Sequence, residues 1–312
     1  MRIGSLPVDG VRRYGVVDGD RIDLFPETAD LFEVLVAGEA AAASQRSAWD
    51  ETASIGVPVP VASIRDFITF EQHTAGSLRA ITGNSEVPAA WYEAPAFYFT
   101  NPHAAIGSGT AVPMPPGCEV LDFELEVAAV IGKAGFNLSV AEAADHIAGF
   151  TILNDWSARD LQSREMRVGL GPVKGKDTAT TLGPVLVTPD ELADRASGGR
   201  YDLAMEVFVN DTRIGGDTLA NMAWTFAELI AYASRGTWVR PGDVLGSGTC
   251  GSGCLAELWG WHCDRQPPPL RIGDTVRMTV QGIGTVHNTV VAGPPLHNVP
   301  PARRARRGRS PA

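Results

Sequence analysis

Three acidic side chains alternate with apolar ones in a short stretch near the middle of the chain. Asp122, Glu124 and Glu126 are separated by single apolar residues and lead into the apolar run 127–131. Successive side chains of a β-strand point to opposite faces, so we expect the three carboxylates on one face. Like charges so placed repel each other unless a counter-charge lies between them, and a hard divalent cation with oxygen ligands would supply it. The alternative is a strand with a solvated acidic face, and this stretch alone does not decide between them.

Two polar residues further along the chain could complete such a site. Asp155 follows the β-type run 150–153, and a carboxylate at the end of a strand is well placed to bind a metal. Lys176 lies in the glycine-rich stretch 169–176. Glycine lets backbone approach a ligand closely, and a lysine there can hold a substrate carboxylate or oxyanion. Taken alone, Lys176 is more simply explained as a solvated loop residue.

The overall charge restricts the classes of partner. The chain has 312 residues and a formal net charge of -10, and an acidic surface repels nucleic acid and anionic lipid. The sequence contains neither a run of about 18 apolar residues nor a signal-peptide pattern at its N-terminus. We therefore expect a cytoplasmic protein with reduced cysteines, and neither a nucleic-acid nor a membrane partner.

The order of the predicted elements indicates three segments. Residues 1–61 predict a small N-terminal α/β domain, with a hairpin around Gly19, a helix over 31–48 that begins at Asp30, and a linker at 57–60. Residues 62–298 predict a larger β-rich domain. The basic, proline-flanked residues 299–312 predict a disordered tail.

Strands outnumber helices in the larger domain and do not alternate with them regularly. Two helices are predicted, one from Ser139 to Ile147 and one over 218–234. The predicted strands cover 119–131, 149–153, 203–209, 243–246, 275–280 and 284–291. This pattern favours a β-rich α+β fold over a Rossmann fold or a TIM barrel.

Four segments resemble the fumarylacetoacetate hydrolase family. They are 124–132, 154–162, 175–176 and 246–249, and taken in order they are a specific combination. The resemblance implies a distorted mixed β-sandwich roll that forms a homodimer. It implies a Mg²⁺ site, or alternatively a Ca²⁺ or Mn²⁺ site. The implied metal ligands are Glu124, Glu126 and Asp155, and the implied substrate-binding residues are Arg159, Gln162, Lys176, Thr180 and Thr249.

A further segment, 66–73, resembles the part of the family that hydrolyses its substrate. There the resemblance implies that Asp66 is a fourth metal ligand, that His73 activates water and that Glu257 orients this histidine. Histidine is the right residue type for a base near neutral pH. A structural role is the alternative for His73, and His103 is a rival candidate for the base.

The expected function is metal-dependent hydrolysis of a C–C bond in a 2,4-diketo acid, either an acylpyruvate or a compound like fumarylacetoacetate. The partner is then a small keto or diketo acid from a catabolic or biosynthetic pathway. A 2-keto acid decarboxylase, a hydratase or an isomerase of the same family is the alternative, since all of them use the same metal ligands. A non-catalytic binding protein is an alternative of another class.

Overall fold

A computed structural model describes residues 1–51 and 56–303 of the chain. Its strands are β1 (Arg2–Val8), β2 (Val11–Asp18), β3 (Arg21–Leu24), β4 (Gln45–Ala48), β5 (Ser63–Phe67), β6 (Phe97–Thr100), β7 (Ala105–Ile106), β8 (Val112–Pro113), β9 (Leu121–Asp122), β10 (Leu125–Ile131), β11 (Gly135–Phe136), β12 (Ile147–Asp155), β13 (Ser157–Ala158), β14 (Thr180–Val187), β15 (Ala196–Ser197), β16 (Arg200–Tyr201), β17 (Ala204–Val209), β18 (Thr212–Thr218), β19 (Trp238–Val239), β20 (Asp243–Gly246), β21 (Thr275–Val280) and β22 (Gly284–Val291). Its α-helices are α1 (Leu31–Ala37), α2 (Glu71–Thr82), α3 (Val140–Ala143), α4 (Arg159–Met166), α5 (Phe226–Ala233) and α6 (Leu255–His262).

Two mixed sheets form the body of the molecule. The larger sheet has the strand order β4-β3-β2-β1-β14-β12-β10-β20-β5-β6, with β7 paired to β14. The smaller sheet has the order β18-β17-β21-β22-β8 and packs against one face of the larger sheet. The β-rich α+β fold predicted from the sequence is confirmed. None of the helices within the described ranges is long and apolar enough to span a membrane.

The larger sheet is buried on both faces near its centre. Along β10, Leu125, Val127 and Ala129 join the core that faces the smaller sheet, whereas Ala128 and Val130 join a second core on the opposite face. The second core also contains residues of β1 and α1. Burial on both faces explains why β10 is apolar throughout after Glu126.

The N-terminal strands belong to the same sheet as the central ones. Strand β1 pairs with β14, and β2 and β3 form the predicted hairpin, with Asp18 opposite Arg21. Residues 299–303 form neither helix nor strand, and residues 304–312 of the predicted tail lie outside the described part of the chain.

Two predicted helices have the wrong bounds. The helix predicted over 31–48 begins after Asp30 as expected but ends at Ala37, because Gly38 adopts a left-handed φ of 71°. Residues 45–48 form β4 instead, paired with β3. The helix predicted from residue 218 begins only at Phe226, because Thr225 caps it together with Glu228.

Helices α2 and α6 were not predicted, and they cross at two glycines. A β-carbon added to Gly260 would lie 2.0 Å from the backbone oxygen of Gly76. One added to Gly76 would lie 2.5 Å from the side chain of Glu257. The absence of side chains at these two positions is what lets the helices approach each other so closely.

We predict that Gly260→Ala lowers the free energy of unfolding by about 1–3 kcal/mol, because the added methyl group meets backbone that cannot move away. Thermal or urea unfolding measures the change. His262→Ala, at the exposed end of the same helix, is the control and is expected to change stability by less than about 0.5 kcal/mol. Equal stability of Gly260→Ala and the unmodified chain would show that the helices do not cross in this way.

Candidate active site

Four carboxylates and their neighbours form a row across the strands of the larger sheet. Asp155 lies opposite Thr180 of β14, and its backbone N–H donates to the carbonyl of Glu124, just before β10. On the other side, Gly246 of β20 lies opposite Asp66 of β5. The side chains of the row emerge on the face that also carries Ala128 and Val130. The sheet register therefore brings together residues that are far apart in sequence.

Gly246 provides the space in which two of these carboxylates meet. A β-carbon at this position would lie 2.5 Å from Oδ1 of Asp66 and 2.8 Å from Oε2 of Glu126. Any side chain here would therefore push the carboxylates apart. The backbone N–H of the nearby Gly248 donates to Oε2 of Glu126 at 3.0 Å and fixes its orientation.

The four carboxylates have the arrangement of an oxygen-rich metal site. One oxygen from each of Asp66, Glu124, Glu126 and Asp155 lies within 4.8 Å of the others, and all four side chains are at most 5% exposed. Oδ1 of Asp66, Oε1 of Glu126 and Oδ1 of Asp155 are buried without a hydrogen-bond partner. Buried oxygens without donors are costly, and a divalent cation with oxygen ligands would satisfy them. The residues present therefore fit a metal such as Mg²⁺, Ca²⁺ or Mn²⁺, and they do not select one of the three.

Two cationic side chains neutralise one side of this cluster. The ammonium group of Lys176 lies 2.5 Å from Oε2 of Glu124 and 2.7 Å from Oδ2 of Asp155. The guanidinium of Arg159 lies 2.8 Å from Oε1 of Glu124 and 2.7 Å from Oδ2 of Asp122. Lys176 is 3% exposed, so it is not the solvated loop residue that it resembles in the sequence.

The pKa values follow this uneven distribution of positive charge. Burial opposes ionisation of Glu124, but Lys176 and Arg159 outweigh it and hold its pKa below the ordinary value. Burial, reinforced by the charge of Asp155, raises the pKa of Asp66 to about 8. Burial and the charge of Asp66 raise the pKa of Glu126 well above its usual range. Asp66 and Glu126 are therefore easier to protonate than ordinary carboxyl groups, and a bound cation would favour their ionised forms.

Asp122 does not join the metal cluster. It lies in β9, which pairs with β13 in a separate ribbon, so the expectation that Asp122, Glu124 and Glu126 share one strand face is wrong. Its carboxylate accepts hydrogen bonds from the backbone N–H groups of Leu255 and Ala256, at the start of α6. Asp122 thus fixes the N-terminus of α6 and the position of Arg159.

His73 and Glu257 meet where α2 and α6 approach the cluster. Nδ1 of His73 lies 3.5 Å from Oε2 of Glu257. The same Oε2 accepts from the backbone N–H of Ser252 at 2.8 Å, while Oε1 accepts from Gln72 and Trp261. A nitrogen of His73 also lies within 4.8 Å of Glu124. Glu257 faces Nδ1, whereas Nε2 lies 3.4 Å from the hydroxyl oxygen of Ser77, one turn further along α2. Nε2 is thus the ring nitrogen that does not face a carboxylate of the helix pair.

The remaining predicted residues lie at different distances from this centre. Gln162 accepts a hydrogen bond from Arg159 at 3.1 Å. Thr180 is buried next to Asp155 in the sheet, and its hydroxyl has no hydrogen-bond partner. Thr249 is buried in the segment after β20, and no contact places it at the carboxylates. His103, the rival base, is exposed on a short 3-10 helix.

Two residues of the site were missed in the sequence. The Tyr98 hydroxyl donates to Oδ2 of Asp155, and Tyr98 lies opposite Asp66 in the pairing of β5 with β6. Sγ of Cys254 lies 3.7 Å from Nδ1 of His73. The only sequence signal for Tyr98 is a polar group inside the aromatic run 97–99. In the sequence Cys254 stands with Cys250, His262 and Cys263, but their spacing matches no standard zinc finger.

We predict that the metal-free protein loses stability as the pH rises. The folded chain holds the proton of Asp66 up to about pH 8, whereas the unfolded chain releases it near the ordinary value of 3.8. The stabilisation is therefore complete below about pH 4 and is lost towards pH 8, by an amount on the order of a few kcal/mol. Melting temperatures in EDTA from pH 5 to 8.5 measure this loss, and saturating Mn²⁺ should reduce it, because the cation binds the deprotonated carboxylates.

Asp66→Asn is the matched control for this pH series. The variant keeps the size of the side chain without its titration, so its melting temperature in EDTA should fall less over the same range. A metal-free protein whose melting temperature rises from pH 5 to 8.5 would contradict the prediction.

Comparison with known sequences identifies related enzymes. The model of the fumarylacetoacetate (FAA) hydrolase C-terminal domain matches residues 63–291. Fumarylacetoacetase of Arabidopsis thaliana is 29% identical over 306 residues, covering 77% of this chain and 71% of that protein. Oxaloacetate tautomerase YisK of Bacillus subtilis is 35% identical over 173 residues, covering 54% of this chain and 52% of that protein. The human mitochondrial oxaloacetate tautomerase FAHD2A is 36% identical over 190 residues, covering 60% and 55%. This chain thus spans about half the length of the two tautomerases.

Solved structures share the fold. Fumarylacetoacetate hydrolase from Exiguobacterium antarcticum superposes with a TM-score of 0.71 at 24% identity, covering 94% of this chain and 99% of that one. Fumarylpyruvate hydrolase from Pseudomonas aeruginosa, solved with Mn²⁺ and pyruvate, gives a TM-score of 0.60 at 21% identity, covering 77% and 97%. With a family model matching most of its length, this chain belongs to the fumarylacetoacetate hydrolase family.

Proposed function

We propose that the chain is a divalent-metal-dependent hydrolase that cleaves a C–C bond in a 2,4-diketo acid. The observation that carries the proposal is the position of the His73–Glu257 pair beside the four-carboxylate cluster. A nitrogen of His73 lies within 4.8 Å of Glu124, and Nδ1 lies 3.5 Å from Glu257. A base so placed is what hydrolysis needs, because water must be deprotonated next to the bound substrate.

Asp66, Glu124, Glu126 and Asp155 would hold the metal, with Mg²⁺ as the proposed ion and Ca²⁺ or Mn²⁺ as alternatives. When bound, a divalent cation supplies Lewis-acid polarisation of a carbonyl and stabilises developing negative charge. Glu124 and Asp155 already share the charge of Lys176. Asp66 and Glu126 have no cationic side chain in contact among the described ion pairs, so a bound ion would be the main counter-charge for the ionised forms of these two carboxylates.

His73 is the proposed general base. Glu257 fixes the ring through Nδ1, and Nε2, which lies next to the hydroxyl of Ser77, takes a proton from water. The resulting hydroxide attacks the carbonyl distant from the carboxylate, the C–C bond on its inner side breaks, and a proton is returned to the released carbon. One water is consumed, and an acylpyruvate gives a carboxylic acid and pyruvate.

Lys176 and Arg159 are proposed to offset the negative charge of the substrate and of the leaving group. Both lie against Glu124, so a carboxylate or enolate oxygen near the cluster is within reach of two cations. The unpaired hydroxyl of Thr180 is a further donor. Gln162 positions Arg159 through the hydrogen bond between them. Thr249 is proposed to contact a part of the substrate that lies further from the carboxylates. We also propose that the chain forms a homodimer and acts in the cytoplasm.

A keto–enol tautomerase is the second candidate. Its support is the similarity to oxaloacetate tautomerases, which at 35% and 36% identity exceeds the 29% identity to the plant fumarylacetoacetase. Tautomerisation moves a proton between carbon and oxygen and needs no attack by water. The two reactions therefore differ in whether a C–C bond is broken.

We predict that acetylpyruvate is cleaved to acetate and pyruvate only when a divalent metal is present. Loss of diketone absorbance in the ultraviolet, with product analysis, measures turnover after EDTA treatment and after Mg²⁺ or Mn²⁺ is added back. Oxaloacetate is tested in parallel for enol–keto interconversion. Interconversion of oxaloacetate without cleavage of any diketo acid would replace the hydrolase by the tautomerase, and metal binding without either reaction would leave a binding protein.

We predict that His73→Gln lowers kcat for diketone cleavage by about 10²–10⁴-fold, the usual contribution of a general base. The variant should still bind Mn²⁺ in a calorimetric titration, because His73 is not one of the four carboxylate ligands. His103→Gln is the matched control and should keep kcat within about twofold, since His103 is exposed. A loss of activity in His103→Gln but not in His73→Gln would reverse the assignment of the base.

A further inference from the structure

A second group of metal-binding side chains adjoins the carboxylate cluster. Single ligand atoms of His73, Glu124 and Cys254 lie within 4.8 Å of one another. His73 is 6% exposed, Glu124 5% and Cys254 0%. Glu124 is therefore shared between a set of oxygen ligands and a set that offers nitrogen, sulfur and oxygen.

The two sets suit different metal ions. Four carboxylates favour Mg²⁺, Ca²⁺ or Mn²⁺, whereas a thiolate with an imidazole favours softer ions such as Zn²⁺. Binding of a divalent ion would release the proton of the Cys254 thiol to solvent, so the net charge of the site would rise by one rather than by two.

The distance between the sulfur of Cys254 and Nδ1 of His73 matches tetrahedral coordination. With Zn–S of about 2.3 Å and Zn–N of about 2.0 Å, a tetrahedral angle separates the sulfur and nitrogen ligands by about 3.5 Å. Sγ of Cys254 and Nδ1 of His73 are 3.7 Å apart. Sγ also accepts a hydrogen bond of 3.4 Å from the backbone N–H of Glu257.

We propose that His73, Cys254 and Glu124 form a second, softer metal site that takes Zn²⁺ and inhibits the enzyme. The ion would lie on the Nδ1 side of His73 and separate that nitrogen from Glu257. The ring would lose the carboxylate that orients it, and its protonation would be opposed by the bound cation. The inhibition rests on the proposed role of His73 as the base, whereas the site itself does not.

Co²⁺ is the probe that reveals the site directly, because a Co²⁺–thiolate bond gives a charge-transfer absorption that oxygen ligands do not. Co²⁺ is added to reduced, EDTA-treated full-length protein kept in excess Mg²⁺. The near-ultraviolet thiolate band is expected for the unmodified chain and absent for Cys254→Ser. Serine is a favoured helix N-cap, so this variant keeps the cap of α6.

Cys263→Ser is the matched control and is expected to keep the band, because Cys263 is exposed at the other end of α6. An unmodified chain without the band, a band that persists in Cys254→Ser, or a band lost in Cys263→Ser would each overturn the site. None of these spectra depends on turnover, so they decide the site even if neither proposed reaction is catalysed.

Inhibition is measured separately with Zn²⁺ and the Mg²⁺-loaded enzyme. Half-inhibition of Cys254→Ser should require at least about tenfold more Zn²⁺ than half-inhibition of the unmodified chain. Removing a group that only hydrogen-bonds to a metal ligand already weakens metal binding by about tenfold or more, and removing the ligand itself should weaken it at least as much. Equal sensitivity of the two proteins would overturn the inhibitory role.

Discussion

Repulsion between buried carboxylates is the constraint to which the rest of this site is adapted. Asp66, Glu124, Glu126 and Asp155 are almost completely buried, and their oxygens lie within 4.8 Å of one another. Charges so close together cannot all be ionised in a low-dielectric interior without counter-charge. Lys176 and Arg159 compensate the side near Glu124, and the other side is left with raised pKa values. The uneven compensation makes the cluster both stable without a cation and receptive to one.

The carboxylates and the proposed base are held by different parts of the fold. The carboxylates and their neighbours Thr180 and Tyr98 are held by strand pairing, which fixes their spacing through backbone hydrogen bonds. His73 and Glu257 are held by two helices that cross at Gly76 and Gly260. Glu124 is the point where both parts meet, since it is within reach of the lysine, the arginine and the histidine.

The sequence was most informative where local pattern determines structure. The strands over 243–246, 275–280 and 284–291 were predicted with the bounds that the structure has. Strand β14 was missed because Gly183 and Pro184 interrupt it, and the structure accommodates them at an irregularity in its pairing with β12. Helix α2 was missed because it has no side-chain cap and is largely polar. The alanine-rich stretch before β4 suggested a longer α1, but Gly38 ends the helix, and residues 45–48 pair with β3.

For the site, the sequence predicted residues with a local motif and missed residues whose role depends on distant contacts. The four metal ligands could be named from motifs, whereas the contacts of Tyr98 and Cys254 with the site depend on long-range proximity. Tyr98 reaches Asp155 because β6 pairs with β5, and Cys254 reaches His73 because α6 crosses α2. Asp122 shows the opposite error, since it lies in β9, which pairs with β13 outside the larger sheet, and not on the strand face that strict alternation assigns to it.

The pairing of β1 with β14 bears on how the molecule can be shortened. The family match begins at residue 63, yet β14 carries Thr180 at one end and pairs with β1 near the other. A chain that started at residue 63 would expose the backbone donors and acceptors of β14 at Leu186 and Val187, where β1 pairs with it, and an unpaired strand edge recruits other chains. The homologous segment therefore leaves out a strand that covers the edge of its own sheet, and a shortened version of the chain has to retain β1 to keep that edge paired.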